Sequence, residues 1–588
     1  MVTKQKTIIT NRKQAITSLV LMVIILVLLN VVAGFYYFRL DLTSEQRYSV
    51  LKPTKTMVKD LKDVVTIKVY LDGDLDAGYT RLKDATRNLL KELRAYGGTN
   101  IEYEFINPMA IQNLDERKAM VKDLMERGVT PTPLNTGNKT EIKQQLIFPG
   151  AIVTYAGREI AVQLLDMQKA PKPREVMANP EVQLEYLNHC EIQLEYKFAS
   201  AIQKLLQSRP TRVVFIQGHG ELSPIETADL RRTLEGSDMQ FEVKDMYLPD
   251  AYYIPAIVDV AIVAKPQANF DEKDKYKLDQ FVMHGGKIIW LVDGSNASID
   301  SLMINKSGQF VQGIENGYNL QDMLFKYGAR INGDVIQDLN NCNQIPMVMG
   351  FSGGSPQTKM FPWYYFPVLI SDNNHPIIRN VDPVESFFPS SIDTVRNPGI
   401  TKTILLHTGD NAKAQMAPTR VHFGILMSKP NPEYYNQKKI PVAVLLEGQF
   451  ESVYKNRMSP DFLAASDTIP ALKFVEQSKA NKMIVISNGD IIRNELRSDS
   501  TYYGLGYYKY TGQLYGNKDF ILNCIQYLLD DRGIIDTRNK EVKLRLLNTA
   551  EIESHKLKWQ LINILLPIVL VVLFGFGFSA YRKRKYAR

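Results

Sequence analysis

One loop of the sequence combines residue types that can bind a ligand or move a proton. It reads Gly218-His219-Gly220-Glu221-Leu222-Ser223-Pro224 and lies between a strand pattern and a helix pattern. In open α/β sheets, ligands bind at the carboxyl ends of strands, and glycine lets them approach the backbone closely. His219 and Glu221 could act as base or ligand. Gly218, His219, Gly220 and Glu221 are therefore our candidate ligand or partner contacts, although a tight turn with helix-capping side chains explains the same string.

A second string resembles the nucleophile elbow of a hydrolase. Gly350-Phe351-Ser352-Gly353-Gly354 matches G-x-S-x-G, and Asp372 and His407 follow in the hydrolase order. The elbow needs a strand before the serine and a helix after it. Ser355-Pro356 follows instead, and Ile345–Met349 is a poor strand because a proline interrupts it. We therefore predict no catalytic residues and keep a tethered hydrolase, using Ser352 or His219, as the last alternative.

Three further patterns resemble metal or phosphate sites but lack essential parts. The acidic string 72–76 has Ala77 and Lys83 where an EF-hand loop needs Gly and Glu, so a plain acidic turn explains it better. Gly285-Gly286-Lys287-Ile288 lacks the spacing of a P-loop, and no other Walker A string occurs in the sequence. The cysteines form no C-x-x-C pair; they are Cys190, Cys342 and Cys524. We therefore predict no metal, no cofactor and no ATP hydrolysis by this chain.

The elements around the 218–224 loop alternate as in a doubly wound parallel sheet. Helices at Ile225–Leu234 and Asp271–His284 alternate with the first three of five short apolar strands, which is the pattern of buried parallel strands. The five are Arg212–Ile216, Val258–Ala264, Lys287–Val292, Val442–Leu446 and Met483–Ile486. We predict a Rossmann-like domain over residues 195–535. It carries an insertion at about 340–439, whose Pro, Gly and aromatic residues suit an interaction face.

A smaller α/β domain is predicted to precede the larger one. Residues 39–165 show the order β-α-β-α-β-β, which resembles a thioredoxin-like layout without the motif residues of that enzyme class. Residues 166–194 are rich in Pro, Lys, Glu and Gln, and we interpret them as a connector. The fold class is therefore α/β with two domains.

Two uncharged apolar runs bracket these domains. Residues 15–38 and 559–581 are each long enough to cross a ~30 Å hydrocarbon layer. A cleaved signal peptide is the alternative for the first run, but a signal core is usually shorter. In the second run, the predicted interface anchors are Trp559, Tyr581, Arg582 and Lys583. Residues 536–558 would form a helical stalk before this span.

The flanking charges predict the orientation in the membrane. The tails 1–14 and 582–588 contain nine basic residues and no acidic residue, so the formal net charge of +8 leaves the remainder near −1. By the positive-inside rule both tails are cytoplasmic, and the main body is periplasmic at a bacterial inner membrane. The basic residues indicate topology and contact with anionic lipid, so we predict no nucleic-acid partner.

Four segments carry a resemblance to a known family. They are Arg39–Val50 directly after the first apolar run, Val69–Leu75, Gly218–Pro224 and Asn517–Asn523. Their order and the paired terminal spans resemble the GldG family, the gliding-motility-associated ABC transporter auxiliary proteins of Bacteroidetes, over nearly the whole chain. The resemblance implies a Rossmann-like domain that is also related to a module of eukaryotic intraflagellar transport proteins. It further implies a separate ATPase subunit (GldA) and a permease-type subunit (GldF), serving gliding and linked to type 9 secretion. The family has no established catalytic residues, so none are transferred.

The leading hypothesis is a non-enzymatic subunit of an ABC-type membrane complex. Its helices would pack on the permease, while the body contacts an envelope, gliding or secretion protein or transmits motion. The alternative is a periplasmic ligand receptor that uses the 218–224 loop. The first hypothesis predicts that pull-down of the tagged protein recovers a permease and an ATPase. The receptor hypothesis predicts that His219→Ala abolishes ligand-induced thermal stabilisation while leaving the fold intact.

Overall fold

The computed structural model describes most of the chain. The described residues are 17–28, 49–136, 143–166, 170–171, 180–207, 209–236, 240–298, 310–313, 318–427, 429–461, 466, 472–497, 501–539 and 555–586. The chain divides into two compact units, which we describe separately. The first comprises Met1–Leu42 and Tyr48–Lys540, and the second comprises Thr43–Arg47 and Glu541–Arg588.

The elements of residues 52–206 build a first α/β domain. Helix α1 Thr17–Leu28 precedes this domain in the chain. The helices of the domain are α2 Lys52–Lys59, α3 Ala77–Gly97, α4 Leu114–Glu126 and α5 Pro180–Leu206. Its strands are β1 Val65–Val69, β2 Ile101–Phe105, β3 Thr132–Thr136, β4 Lys143–Ile147, β5 Gly150–Tyr155 and β6 Arg158–Gln163. Four of these strands form a sheet in the order β2-β1-β5-β6, in which β1 and β2 are parallel and the other pairs antiparallel. The name thioredoxin-like stays a prediction for this arrangement.

Local sequence signals explain where the helices of this domain begin and end. Asp76 caps α3 by accepting a hydrogen bond from the Tyr79 backbone nitrogen at 2.8 Å. Gly98 ends the helix with φ of +61°, a conformation that glycine adopts without strain. The acidic string 72–76 is thus a turn that contains a helix cap, and Asp72 lies 3.4 Å from the Lys83 ammonium.

Helix α5 corrects the predicted connector. Residues 180–194 were expected to link two domains, and the helix from 196 was expected to open the second, but they form one 27-residue helix. Leu187, Cys190, Leu194 and Phe198 are buried in the core of the first domain. Their spacing of three or four residues puts them on one face, and burying that face outweighs the polar composition that suggested a connector.

The remaining strands and helices follow in chain order. The strands are β7 Arg212–Gln217, β8 Glu242–Tyr247, β9 Val260–Ala264, β10 Lys287–Leu291, β11 Phe310–Gly313, β12 Ala329–Ile331, β13 Asp334–Asp338, β14 Cys342–Ser352, β15 Ser355–Leu369, β16 Val384–Glu385, β17 Ile392–Thr394, β18 Ile400–His407, β19 Ala412–Met416, β20 Thr419–His422, β21 Pro441–Glu451, β22 Gln477–Ile486, β23 Tyr507–Tyr508 and β24 Gln513–Leu514. The helices are α6 Ala228–Glu235, α7 Glu272–Met283, α8 Gln321–Tyr327, α9 Asn517–Leu529 and α10 Lys556–Tyr586.

A seven-stranded sheet is the centre of the second domain. Its order is β18-β21-β22-β10-β9-β7-β8, and the five strands from β22 to β8 are parallel. Both faces are covered, because Phe215 packs in a core with α6 and α9, whereas its neighbour Val214 packs in a core with α7 and α8. Burial on both faces explains why these strands are apolar throughout.

The direction of one predicted parallel strand was wrong. Val442–Leu446 lies in β21, which runs antiparallel to β22, and β18 pairs antiparallel to β21. The sheet is therefore mixed. An apolar run shows that both faces of a strand are buried and carries no information about its direction. β18 lies within residues 340–439, so part of the predicted insertion is an integral strand of the sheet.

The elbow string 350–354 lies at the tip of a long hairpin. β14 and β15 pair antiparallel, and Gly353 and Gly354 have φ of +59° and +81° at the turn between them. Ile345–Met349 is thus a strand, contrary to our expectation. Pro346 is accommodated because β14 is the edge strand in the order β14-β15-β16.

The last described residues of the body return to the first domain. A 3₁₀ helix covers Ile534–Asn539, and Ile534 is buried in the same core as Val50, Val58 and Phe198. Residues 540–554, most of the predicted stalk 536–558, lie outside the described residues.

Among the described residues, one helix has the length and composition to cross a membrane. It covers Lys558–Lys585 within α10 and lies in the second unit. The predicted anchors lie on it, with Trp559 and Tyr581 about 33 Å apart along the axis at 1.5 Å per residue. Of the predicted first span, residues 17–28 form the shorter apolar helix α1, and the others lie outside the described residues.

Candidate functional site

His219 lies between two buried carboxylates at the carboxyl end of β7. Its Nδ1 is 3.3 Å from Glu221 Oε1, and its Nε2 is 3.0 Å from Asp274 Oδ2 on α7. The ring stacks on Phe270 with the centroids 3.7 Å apart. His219 and Glu221 are 5% and 8% exposed. A ring with carboxylates at both nitrogens can donate to both only as the imidazolium.

The backbone of the loop is fixed by its neighbours. His219 accepts hydrogen bonds on its carbonyl oxygen from Gln267 and Ala268, which follow β9, at 2.7 and 2.9 Å. Gly218 has φ of +126°, and a Cβ there would lie 2.4 Å from Pro249 Cδ. A side chain at this position would be strained and would collide with the loop after β8. The glycine is therefore required for packing between loops.

The four predicted contact residues occur together, but their polar groups contact the protein itself. The Glu221 carboxylate also accepts from the His219 backbone nitrogen at 2.7 Å. Asp274 is further paired with Lys277 at 2.7 Å. Contact of Gly218, His219, Gly220 and Glu221 with a ligand or partner stays a prediction.

A second charged cluster lies at the ends of three adjacent strands. Lys265 follows β9, Asp293 follows β10 and Asp490 follows β22. The Lys265 ammonium forms an ion pair with Asp490 and lies 3.6 Å from Asp293. Asp293 also accepts from the Gly489 backbone nitrogen at 2.6 Å. These residues were not predicted from the sequence; the available signal was a charged residue one to four positions after the end of an apolar strand.

In this cluster, burial and the neighbouring charges have opposite effects on the pKa of Asp293 and on the pKa of Lys265. Burial raises the pKa of Asp293 to about 6, while Lys265 opposes the rise. Burial would lower the pKa of Lys265, but Asp490 and Asp293 outweigh it, so this pKa is raised. The ammonium thus stays charged between two carboxylates.

Hydrogen bonds connect the loop to this second cluster. Ser223 donates from its hydroxyl and its backbone nitrogen to Glu226 at 2.7 and 2.9 Å. Arg493 then contacts Glu226 at 3.1 Å and Asp490 at 3.5 Å. The carboxyl edge of the sheet is therefore covered by one continuous polar network, which joins strands and loops.

The hydrolase residues have other roles in this fold. His407 Nε2 lies 3.4 Å from Asp372, which also pairs with Lys439. Lys439 lowers the pKa of Asp372. Ser352 ends β14, and a strand rather than a helix follows it. The strand–serine–helix geometry of a nucleophile elbow is thus missing at this position.

In the part of the chain that the structure describes, the cysteines and the possible metal ligands offer little further chemistry. All three cysteines are free thiols, and burial raises the pKa of each. Raised pKa values make thiols poor nucleophiles. No group of three or more His, Cys, Asp or Glu side chains in the described ranges could hold a metal ion.

The fold and the carboxyl edge of the seven-stranded sheet define a general class of protein. The body is a mixed α/β protein whose strand ends are joined by ion pairs, and the chain also has a long apolar helix with basic residues at its end. The family described as "ABC-type uncharacterized transport system" matches residues 210–524, more than half of the chain. The chain belongs to this family, whose members are auxiliary components of ABC transport systems. A domain of unknown function (DUF7088) matches residues 44–154.

Two further similarities were found. An uncharacterized protein of Borreliella burgdorferi (strain ATCC 35210 / DSM 4680 / CIP 102532 / B31) is 20% identical over 585 residues, which cover 98% of this chain and 99% of that protein. The solved mmIFT52 N-terminal domain has a TM-score of 0.30 and 13% identity, covering 55% of this chain and 99% of that one. The TM-score of 0.30 is too low to support an argument.

Proposed function

We propose that this chain is a non-catalytic, membrane-anchored subunit of an ABC-type transport complex that acts through protein contact or conformational coupling. The match of residues 210–524 to the ABC transport family carries the proposal. That range includes the whole seven-stranded sheet and its carboxyl edge. The energy would come from a separate ATPase, because the sequence contains no Walker A string of its own.

The geometry of the edge supports a role without catalysis. A general base or nucleophile must be within hydrogen-bond reach of a substrate atom. Here the polar atoms of His219, Glu221 and Lys265 contact protein atoms in a buried network. Such a network holds loops in one arrangement, which suits a surface that presents a fixed shape to a partner.

The proposed location is a bacterial inner membrane with both termini in the cytoplasm and the main body in the periplasm. Helix α10 and the basic residues Lys583, Arg584 and Lys585 in its last turn support anchorage at the carboxyl end. The proposed partners are a GldF-like permease, a GldA-like ATPase and a gliding or secretion protein of the envelope. Their names, and the link to gliding and type 9 secretion, are supported by the GldG resemblance alone.

Affinity capture tests the proposal. Full-length chain tagged at its amino terminus, extracted in mild detergent from its own bacterium, should recover a permease-type membrane protein and an ATPase. A matched variant that carries 23 leucines in place of residues 559–581 keeps an anchor but loses the native helix surface, so it should recover less permease. Capture of neither protein by the full chain would contradict the proposal.

A receptor function is the second candidate, favoured by the position of the 218–224 loop at the carboxyl edge of the sheet. It requires the buried network to open for a ligand. Its distinguishing result would be a small molecule that co-purifies with the body and is lost in a Gly220→Val variant, with permease capture unchanged.

A further inference from the structure

A cavity of about 700 Å³ lies at the opposite edge of the same sheet, away from the loop that drew attention in the sequence. Its lining includes residues just before three parallel strands. They are Thr211 before β7, Asp259 before β9 and Gly286 before β10. This volume falls within the ~300–1,000 Å³ typical of small-molecule sites.

Four aromatic side chains contribute to its wall. Tyr252 and Tyr253, in the loop after β8, are 90% and 38% exposed, whereas Phe281 on α7 is buried. Tyr276, also on α7, lies edge-on to Tyr454 with ring centroids 5.3 Å apart. Burial raises the pKa of Tyr276 to about 12, so its phenol is neutral at physiological pH. Flat walls of this kind pack well against a ring.

Two of the three strong cations in the lining are already paired. Arg209 forms two parallel hydrogen bonds of 2.8 Å to Asp259. Lys277 lies 2.7 Å from Asp274. These contacts neutralise both side chains, so neither provides a free charge to a ligand.

Lys287 is different. Its ammonium contacts the Asn481 side-chain oxygen at 3.4 Å. The carboxylates that act on it, Asp531 and Asp259, do so through charge and without a hydrogen bond. Asp531 also lines the cavity and acts on Lys287 from farther away. Burial lowers the pKa of Lys287. A half-buried ammonium without a close counter-ion is unfavourable, and an anionic ligand group would remove that cost.

We propose that this cavity binds a small organic anion that has one acid group and one ring, with the acid group paired to Lys287 and the ring packed against Tyr253 and Tyr276. The lining favours this class over a cation because Asp259 is already paired with Arg209, whereas Lys287 has no hydrogen bond to a carboxylate of the described residues. Inorganic phosphate alone would leave the aromatic wall unused. The site does not depend on the proposed transport role.

Calorimetric titration of full-length chain in lipid nanodiscs tests the proposal, with empty nanodiscs as the blank. The probes are 2-naphthoate and its neutral counterpart 2-naphthalenemethanol. We expect saturable binding of 2-naphthoate to the wild type and at least tenfold weaker binding to Lys287→Met. Lys287→Arg keeps the charge and should retain most of the affinity. Lys479→Met, on the exposed part of β22, is the matched control and should bind as the wild type does.

The neutral probe separates charge from shape. 2-Naphthalenemethanol should bind Lys287→Met and wild type equally, whereas Tyr253→Ala should weaken both probes. Tyr253 is partly exposed, so its loss leaves the core intact. Absence of saturable 2-naphthoate binding to the wild type, or equal 2-naphthoate affinity in Lys287→Met, would overturn the proposal.

Discussion

At the scale of single residues, His219 was predicted from the sequence as a ligand contact, and in the fold its ring contacts other side chains of the protein. The glycines, histidine and glutamate of the loop suit ligand contact, and their position after β7 was predicted. In the fold, the histidine lies between Glu221 and Asp274, and its ring is stacked on Phe270. Sequence could not show this, because Asp274 comes from α7, 55 residues later.

Replacement of His219 should therefore destabilise the sheet. His219→Ala removes the ring that contacts the buried carboxylates of Glu221 and Asp274, and leaving buried polar atoms without a partner costs roughly 1–3 kcal/mol. We expect faster amide hydrogen exchange in β7 and β9, measured by mass spectrometry on the full chain. His422→Ala, at an exposed position on β20, should leave exchange unchanged. Unaltered exchange in His219→Ala would show that the contacts of His219 with Glu221 and Asp274 contribute little to the stability of the sheet.

Glu385 provides a test of pH dependence. Its side chain is buried, and Oε2 has no hydrogen-bond partner among the described residues. Burial, and then the charge of Glu495, raises the pKa of Glu385 to about 8, against roughly 4.3 in an unfolded chain. The folded state therefore holds a proton that the unfolded state has lost between these values, so this residue makes stability fall as pH rises from about 4.3 to 8.

Glu385→Gln should remove that fall, because glutamine is neutral throughout. The urea midpoint of the variant should exceed that of the wild type by more at pH 8.5 than at pH 5. Glu102→Gln, an exposed change on β2, is the control and should show no such pH-dependent gain. A constant difference between Glu385→Gln and wild type at both pH values would refute the prediction.

At the scale of elements, capping residues account for helix ends better than composition does. Asp76 and Gly98 flank α3, and Asp271 and Gly285 flank α7. The direction of β21 could not be predicted, because its burial is the same in either direction. Helix α5 was misjudged because its Pro- and Glu-rich start outweighed the apolar spacing that follows.

Helix α5 should be a principal support of the first domain. Phe198 is fully buried in that core, and Phe198→Ala removes a ring that neighbours can replace only in part, at a cost of roughly 3–5 kcal/mol. Calorimetry of the full chain should show an earlier unfolding transition. Leu184→Ala on the same helix is the control, since Leu184 is exposed, and its transition should stay near that of the wild type. Equal transitions for both variants would mean that α5 contributes little to stability.

At the scale of the whole molecule, the site depends on strand order. Lys265, Asp293 and Asp490 are far apart in sequence and meet because β9, β10 and β22 are parallel neighbours. The sequence shows a charged residue shortly after each of these apolar strands, but it does not show which strands are adjacent. The cavity at the opposite edge depends on the same order.

The return of Ile534 to the first core has a mechanical consequence. The body begins and ends in the first domain, since Val50 and Ile534 share one core. In chain order, the second domain is therefore inserted between two segments that both belong to the first domain. It also contacts that domain through α5, where Gln203 donates to Asp530 at 3.2 Å. A force applied to the chain before residue 49 or after residue 539 therefore acts on the first domain. The seven-stranded sheet would be moved through its attachment to that domain.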